Sequence, residues 1–276
     1  MARSVQTSGH GEGREGAPST LLLALEAPRA ASEFWAFLAA APWLGLAPRG
    51  EGQPVIVLPG FMASDESTFA LRAYLGGLGY EVQGWQLGRN LGPTKKVMNG
   101  MHDLLVEVAA LHEQPVSIVG WSLGGVYARE LAHREPDLVR QVIMLGSPFR
   151  LADPRQSSIY RLYETQAHRH DPGIGRLPAF ERLAQPAPVP STSIYTRTDG
   201  VVAWETCVDT RGPLRENIAV VGSHCGLGFN PAALWAVADR LAQPEGRWRA
   251  FKPPLWLRPA YPAPDYADAP VDALAA

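Results

Sequence analysis

Short apolar runs alternate along the chain with segments whose apolar residues recur every three to four positions, a pattern that predicts a mostly parallel sheet covered by helices. Val55-Ile56-Val57-Leu58 is a continuous apolar run ending at Pro59-Gly60, as expected of a parallel strand buried on both faces. A helix is predicted over about 68–78, with Phe69, Leu71, Tyr74, Leu75 and Leu78 at helical spacing and Gly79 as its stop. A strand near 80–85 follows. Thr94 then caps a long helix to about His112, with Val97, Met101, Leu104, Leu105, Val108 and Leu111 on its inner face. Further strands are predicted at Val116–Val119, Val139–Leu145, Thr192–Tyr195 and Ile218–Val221, and a last helix at Pro231–Leu241. The stretch 149–190 has scattered prolines and poor periodicity, and reads as a cap inserted after the strand at 139–145.

The strand at 116–119 runs directly into Gly120-Trp121-Ser122-Leu123-Gly124-Gly125 and a helix lasting to about Arg134. A Gly-x-Ser-x-Gly motif between strand and helix is the signature of a nucleophile elbow, where side chains at the two glycines would collide with the neighbouring elements. The plainer alternative is a tight turn in which Ser122 merely caps the helix. A serine nucleophile needs a base, and the base needs an acid to hold its tautomer. In this strand-turn-helix setting the order is serine, an acid after a later strand, then histidine after the last. Asp199, in Thr198-Asp199-Gly200, and His224, in Gly222-Ser223-His224, fall in that order; Glu205 and Asp209 are the next candidates for the acid. Backbone donors for an oxyanion are expected at Leu123, just after the serine, and at Phe61, with Met62 second, in the loop opened by Gly60. Met62, Trp121 and Leu227 flank these positions and are candidates for an apolar substrate pocket.

Composition narrows the function. Of 276 residues, 46% are apolar and 19% charged, enough for a large core in one domain. Lys and Arg total 25 against 27 for Asp and Glu, a net charge of -2 without basic blocks, which argues against a nucleic-acid partner. No segment is long enough to span a bilayer, since Phe34–Ala47 is broken by Pro42 and Gly45 and reads as a helix and a turn. Leu21–Leu25 is too short for a secretory core, so a cytoplasmic location is expected. Residues 1–20 read as a flexible tail, 21–252 as the domain and 253–276 as a Pro/Ala-rich tail outside the core. His168 and His170 in the cap lack further ligands at metal spacing, and neither metal nor cofactor is expected.

Taken together, these residues resemble bacterial α/β-hydrolase lipases and esterases over roughly 54–241. The likeness is carried by Val57-Leu58-Pro59-Gly60-Phe61, the elbow, Ser193-Ile194-Tyr195-Thr196-Arg197-Thr198-Asp199-Gly200 and Gly222-Ser223-His224-Cys225-Gly226-Leu227-Gly228. The resemblance implies an α/β-hydrolase fold with helices on both faces of the sheet. It also implies hydrolysis of small-molecule or lipid carboxylic esters through an acyl-serine. Similar secreted triacylglycerol lipases have His-Gly where this chain has Pro59-Gly60, and His where it has Trp121, which weakens a long-chain lipase reading. They also have an Asp-Gly segment followed by a cysteine; here Cys207 and Cys225 follow the acid and base segments, and stand either as a bridge between those loops or as two thiols. Acyl transfer by the same three residues is the alternative activity, and a non-catalytic binding protein on this scaffold a third. Peripheral contact with lipid and the oligomeric state are left open.

Overall fold

The computed structural model describes residues 18–170 and 180–267. Six strands form one sheet: β1 (Pro54–Leu58), β2 (Glu81–Gly84), β3 (Val116–Trp121), β4 (Val139–Leu145), β5 (Ser191–Tyr195) and β6 (Arg215–Ala219). Their order is β2-β1-β3-β4-β5-β6 and every pairing is parallel. The helices are α1 (Thr20–Ala24), α2 (Glu26–Leu44), α3 (Phe69–Gly77), α4 (Lys95–His112), α5 (Leu123–Arg134), α6 (Tyr160–His170), α7 (Phe180–Ala184) and α8 (Pro231–Leu241).

Strand side chains alternate between two faces, so one apolar run feeds two cores. Val55 and Val57 join Leu71 and Leu75 of α3 and Leu234 and Val237 of α8; Ile56 and Leu58 join Met101, Leu105 and Val108 of α4 and Val126 and Leu131 of α5. The expected strands and helices all occur, and their ends move for physical reasons. Gly79 takes φ +94° past the end of α3, a conformation without steric cost only for glycine. Thr94 accepts a hydrogen bond from the Val97 N–H at 3.1 Å and caps α4. Leu111, expected inside, is exposed in the last turn of α4, which ends at His112 where Glu113 turns left-handed at φ 52°.

β6 begins three residues earlier than its apolar run, because Glu216 pairs with Arg240 and Asn217 with the Asp209 backbone, which lets polar residues sit in a buried strand. Val221, expected in that strand, is outside it and exposed.

The described C-terminal stretch differs from the tail expected there. Residues 1–17 and 268–276 lie outside the described residues, as do cap positions 171–179 and the side chains of His168 and His170. Thr20 onward is helical, and the helix expected from Phe34 begins at Glu26, with Pro42 in its last turn. From Pro253 to Ala267 the chain, expected outside the core, lies against it. Leu257, Ala260 and Tyr261 pack on the first core cluster, the Tyr261 hydroxyl donates to Ala232 O at 2.8 Å, and the Tyr195 hydroxyl donates to Asp265 Oδ2 at 2.7 Å.

Candidate active site

β3 and α5 meet at Ser122, whose backbone is held at φ 54°, ψ -121°, a strained conformation for a non-glycine residue. Its N–H donates to Leu145 O of the adjacent strand at 2.8 Å. A Cβ on Gly120 would overlap the Gly124-Gly125 backbone, and one on Gly124 would overlap Leu58 O of β1. The two glycines are therefore a steric condition for so tight a turn. Ser122 makes no side-chain cap bond to α5, which removes the plain capping reading. Its Oγ instead lies 3.0 Å from His224 Nε2.

His224 follows β6 and Asp199 follows β5, so both loops open at the carboxyl edge of the sheet, where Ser122 also stands. His224 Nδ1 lies 2.6 Å from Asp199 Oδ2, while Asp199 Oδ1 accepts the N–H groups of Val201 and Val202, both at 2.8 Å. Those two bonds orient the carboxylate so that one oxygen faces the imidazole. All three side chains are buried. Burial alone would lower the His224 pKa, but the Asp199 charge and hydrogen bond, with the charge of Glu26 behind them, outweigh it and raise the group above its ordinary value. The alternative acids lie elsewhere: Asp209 is buried against Arg129 at 2.9 Å, and Glu205 lies in the 3₁₀ turn Trp204–Cys207.

Gly60 packs against the nucleophile, a Cβ there falling 3.2 Å from Ser122 Cβ and 3.4 Å from Trp121 O. Of the two N–H groups expected in that loop, Met62's is committed to Asn90 O at 2.7 Å and Phe61's is the other, while Leu123 stands at the start of α5. Asn90 is itself anchored, its side chain donating to Pro59 O at 2.9 Å.

Two recesses flank Ser122. One, of about 320 Å³, is lined by Met62, Trp121, Leu162, Val201, His224 and Cys225; a smaller one of about 50 Å³ is lined by Leu123, Val126, Leu151 and Tyr163. Met62 and Trp121 thus line the larger recess. Trp121 does more, donating from Nε1 to His224 O at 3.0 Å and packing edge-on against Phe229, so it braces the histidine loop. Leu227 is a correction: it is fully buried in the first core cluster and lines neither recess, because the turn after His224 drives it down toward the sheet. The bridge between Cys207 and Cys225 is absent, with Cys207 buried in its own core cluster and Cys225 exposed beside the groove.

Sequence reasoning missed the first turns of α2, which precede the helix expected from Phe34. Glu26, Arg29 and Glu33 project from those turns into the loops that carry Asp199 and His224. In the sequence they are isolated charges beside an apolar stretch, which ordinarily means a solvated helix face.

The sheet, its helices and the strand-turn-helix at Ser122 define the α/β-hydrolase fold. No protein-family model matches the chain, and no curated protein matches it by sequence. Among solved structures, Aspergillus fumigatus lipase B is similar at a TM-score of 0.51 and 19% identity, over 71% of this chain and 53% of that one. A structure from the metagenome-derived lipolytic enzymes LipS and LipT is similar at a TM-score of 0.51 and 15% identity, over 71% of this chain and 94% of that one. The chain therefore matches about half the length of the Aspergillus lipase. Among the described residues no helix is long and apolar enough to cross a membrane.

Proposed function

We propose that the chain is a serine hydrolase that cleaves carboxylic esters with an apolar acyl group. The observation that carries this reading is the relay from Ser122 Oγ through His224 to Asp199, with contacts of 3.0 and 2.6 Å. His224 Nε2 takes the proton of Ser122 as Oγ bonds to the ester carbonyl carbon. The resulting oxyanion is held by the N–H groups of Phe61 and Leu123, the latter at a helix N-terminus whose dipole favours negative charge. Asp199 stabilises the imidazolium. Collapse of the tetrahedral intermediate breaks the bond to the leaving alcohol, which takes the proton from His224 Nε2. Water then gives a proton to the same nitrogen as its oxygen adds to the acyl-serine carbon; the bond to Ser122 Oγ breaks, the acid leaves, and Oγ takes the proton back from His224 Nε2. The mostly apolar lining of the two recesses supports an apolar acyl group, and Leu162 and Tyr163 bring the cap into that lining.

A fluorophosphonate probe and a panel of p-nitrophenyl esters of increasing acyl length test the reading together. The expected result is covalent labelling at Ser122, ester turnover, and loss of both in Ser122→Ala down to the residual catalysis of binding and the oxyanion site. Folded protein that leaves Ser122 unlabelled and all esters intact refutes it. Added alcohols compete with water at the acyl-serine if the chain is instead a transferase.

A further inference from the structure

α2 stands outside the sheet, yet its first turns are built into both loops of the site. The Glu26 carboxylate is buried and accepts three backbone N–H groups: Gly200 at 2.8 Å, next to Asp199, and His224 and Cys225 at 3.2 and 2.8 Å. One side chain thus joins the acid loop to the base loop. Arg29, one turn on, does the same with opposite charge, donating to Thr198 O and Thr198 Oγ1 at 2.8 Å each and to Gly222 O. Glu33 holds the base loop alone, accepting the Ser223 N–H at 2.7 Å, the Ser223 hydroxyl at 2.6 Å and the Asn230 amide at 2.8 Å.

The loops are shaped to receive this helix. A Cβ on Gly200 would lie 2.5 Å from the Leu22 backbone of α1, and on Gly222 it would lie 2.7 Å from the Glu33 carboxylate. Glycine at those points lets the N-terminal segment approach the backbone directly.

A buried carboxylate is costly unless its lone pairs are filled, and charge-assisted bonds to backbone N–H groups are among the stronger ones available. Spending such a group on two loops whose positions set the spacing of Asp199 and His224 ties its effect to the relay. We propose that Glu26 is a positioning residue for the Ser122–His224–Asp199 relay, clamping the acid and base loops in one register, with Arg29 as the second arm of the clamp. The assignment rests on the hydrolase reading above for its kinetic consequence, and on geometry alone for its effect on the imidazole.

The groups facing His224 are Asp199 from the loop after β5, Glu26 and its neighbour Arg29 from α2, Glu33 through Ser223, and the Cys225 thiol. Burial, and then the charge of Glu26, push that thiol up to about 12, so it is neutral near pH 7. Removing the Glu26 charge therefore takes away a field that favours the imidazolium.

Glu26→Gln keeps the shape and removes the charge and one acceptor. Its kcat on p-nitrophenyl butyrate is expected to fall about 10- to 100-fold, the range that misplacement of reacting groups produces, with KM within about twofold. The titration of the His224 imidazole, followed by NMR without substrate, is expected to move to lower pH, and Glu26→Asp to recover part of both effects. A merely structural role would lower the melting temperature and leave the kcat-to-KM split and the imidazole titration in place; that result overturns the proposal. Should the Gln variant not fold, Arg29→Gln tests the second arm at a partly exposed side chain: a fall in kcat at constant KM supports the clamp and wild-type kcat overturns it. If the unaltered protein neither hydrolyses esters nor labels at Ser122, the hydrolase reading fails by itself, and the NMR titration still decides the role of Glu26.

Discussion

At His224 burial and charge pull in opposite directions. The ring is removed from water, which disfavours the imidazolium, yet Asp199 at 2.6 Å and the more distant Glu26 reverse the balance and raise its pKa. A base must be neutral to accept a proton, so a raised pKa moves the acid limb of kcat/KM upward. That limb is expected above about 6.5, the ordinary imidazole value. Activity should fall toward tenfold per pH unit below it. Asp199→Asn removes the charge and presents the wrong partner to Nδ1. It is expected to lower kcat on the order of 10⁴-fold and to move the limb to lower pH, both read from one set of pH-rate profiles. Near-normal turnover in that variant would mean that a different acid serves the histidine. Ser122, Asp199 and His224 were legible because each follows a strand end in the order the elbow chemistry needs. Leu227 was misjudged because nearness in sequence to His224 says nothing about the direction a side chain takes after a 3₁₀ turn.

Helices and strands show what local patterning conveys and where it stops. α4, α5 and α8 were readable from periodicity and caps, and Thr94 is a clear instance, its hydroxyl satisfying the Val97 N–H. Thr94→Ala should destabilise the protein by about 1 kcal/mol in urea unfolding, with kcat and KM unchanged, since neither Thr94 nor a residue of α4 lines the two recesses. A loss of activity without loss of stability would contradict that separation. β6 was less legible, because its polar residues are buried through partners on α8, at Asp209 and in the C-terminal stretch. The first half of α2 was not legible as part of the site at all. Its charges gain meaning from loops that lie about 170 to 200 residues away in the chain.

Across the whole molecule, both ends of the described chain are fastened to the half of the sheet that carries the candidate site. α2 holds the loops after β5 and β6, and the stretch 253–267 lies over those strands through Asp265, which takes the Tyr195 hydroxyl and pairs with Arg197 at 2.7 Å. Ending the chain at Lys252 removes the packing of Leu257 and Tyr261 as well as these bonds. The loss expected is roughly 2–4 kcal/mol, measured as a lower urea midpoint at unchanged slope. An unaltered midpoint would show that the stretch adds no net stability. The positions of the strands along the chain, the tight turn at Ser122, and the placing of Ser122, Asp199 and His224 each just past a strand end were legible in the sequence, because each rests on a local pattern and on steric rules of the backbone. The contacts of 3.0 and 2.6 Å, the commitment of the Met62 N–H to Asn90, the separate thiols and the grip of Glu26 on two loops were decided only by tertiary structure. They are relations between segments far apart in the chain, and sheet packing, which no local pattern encodes, brings those segments together.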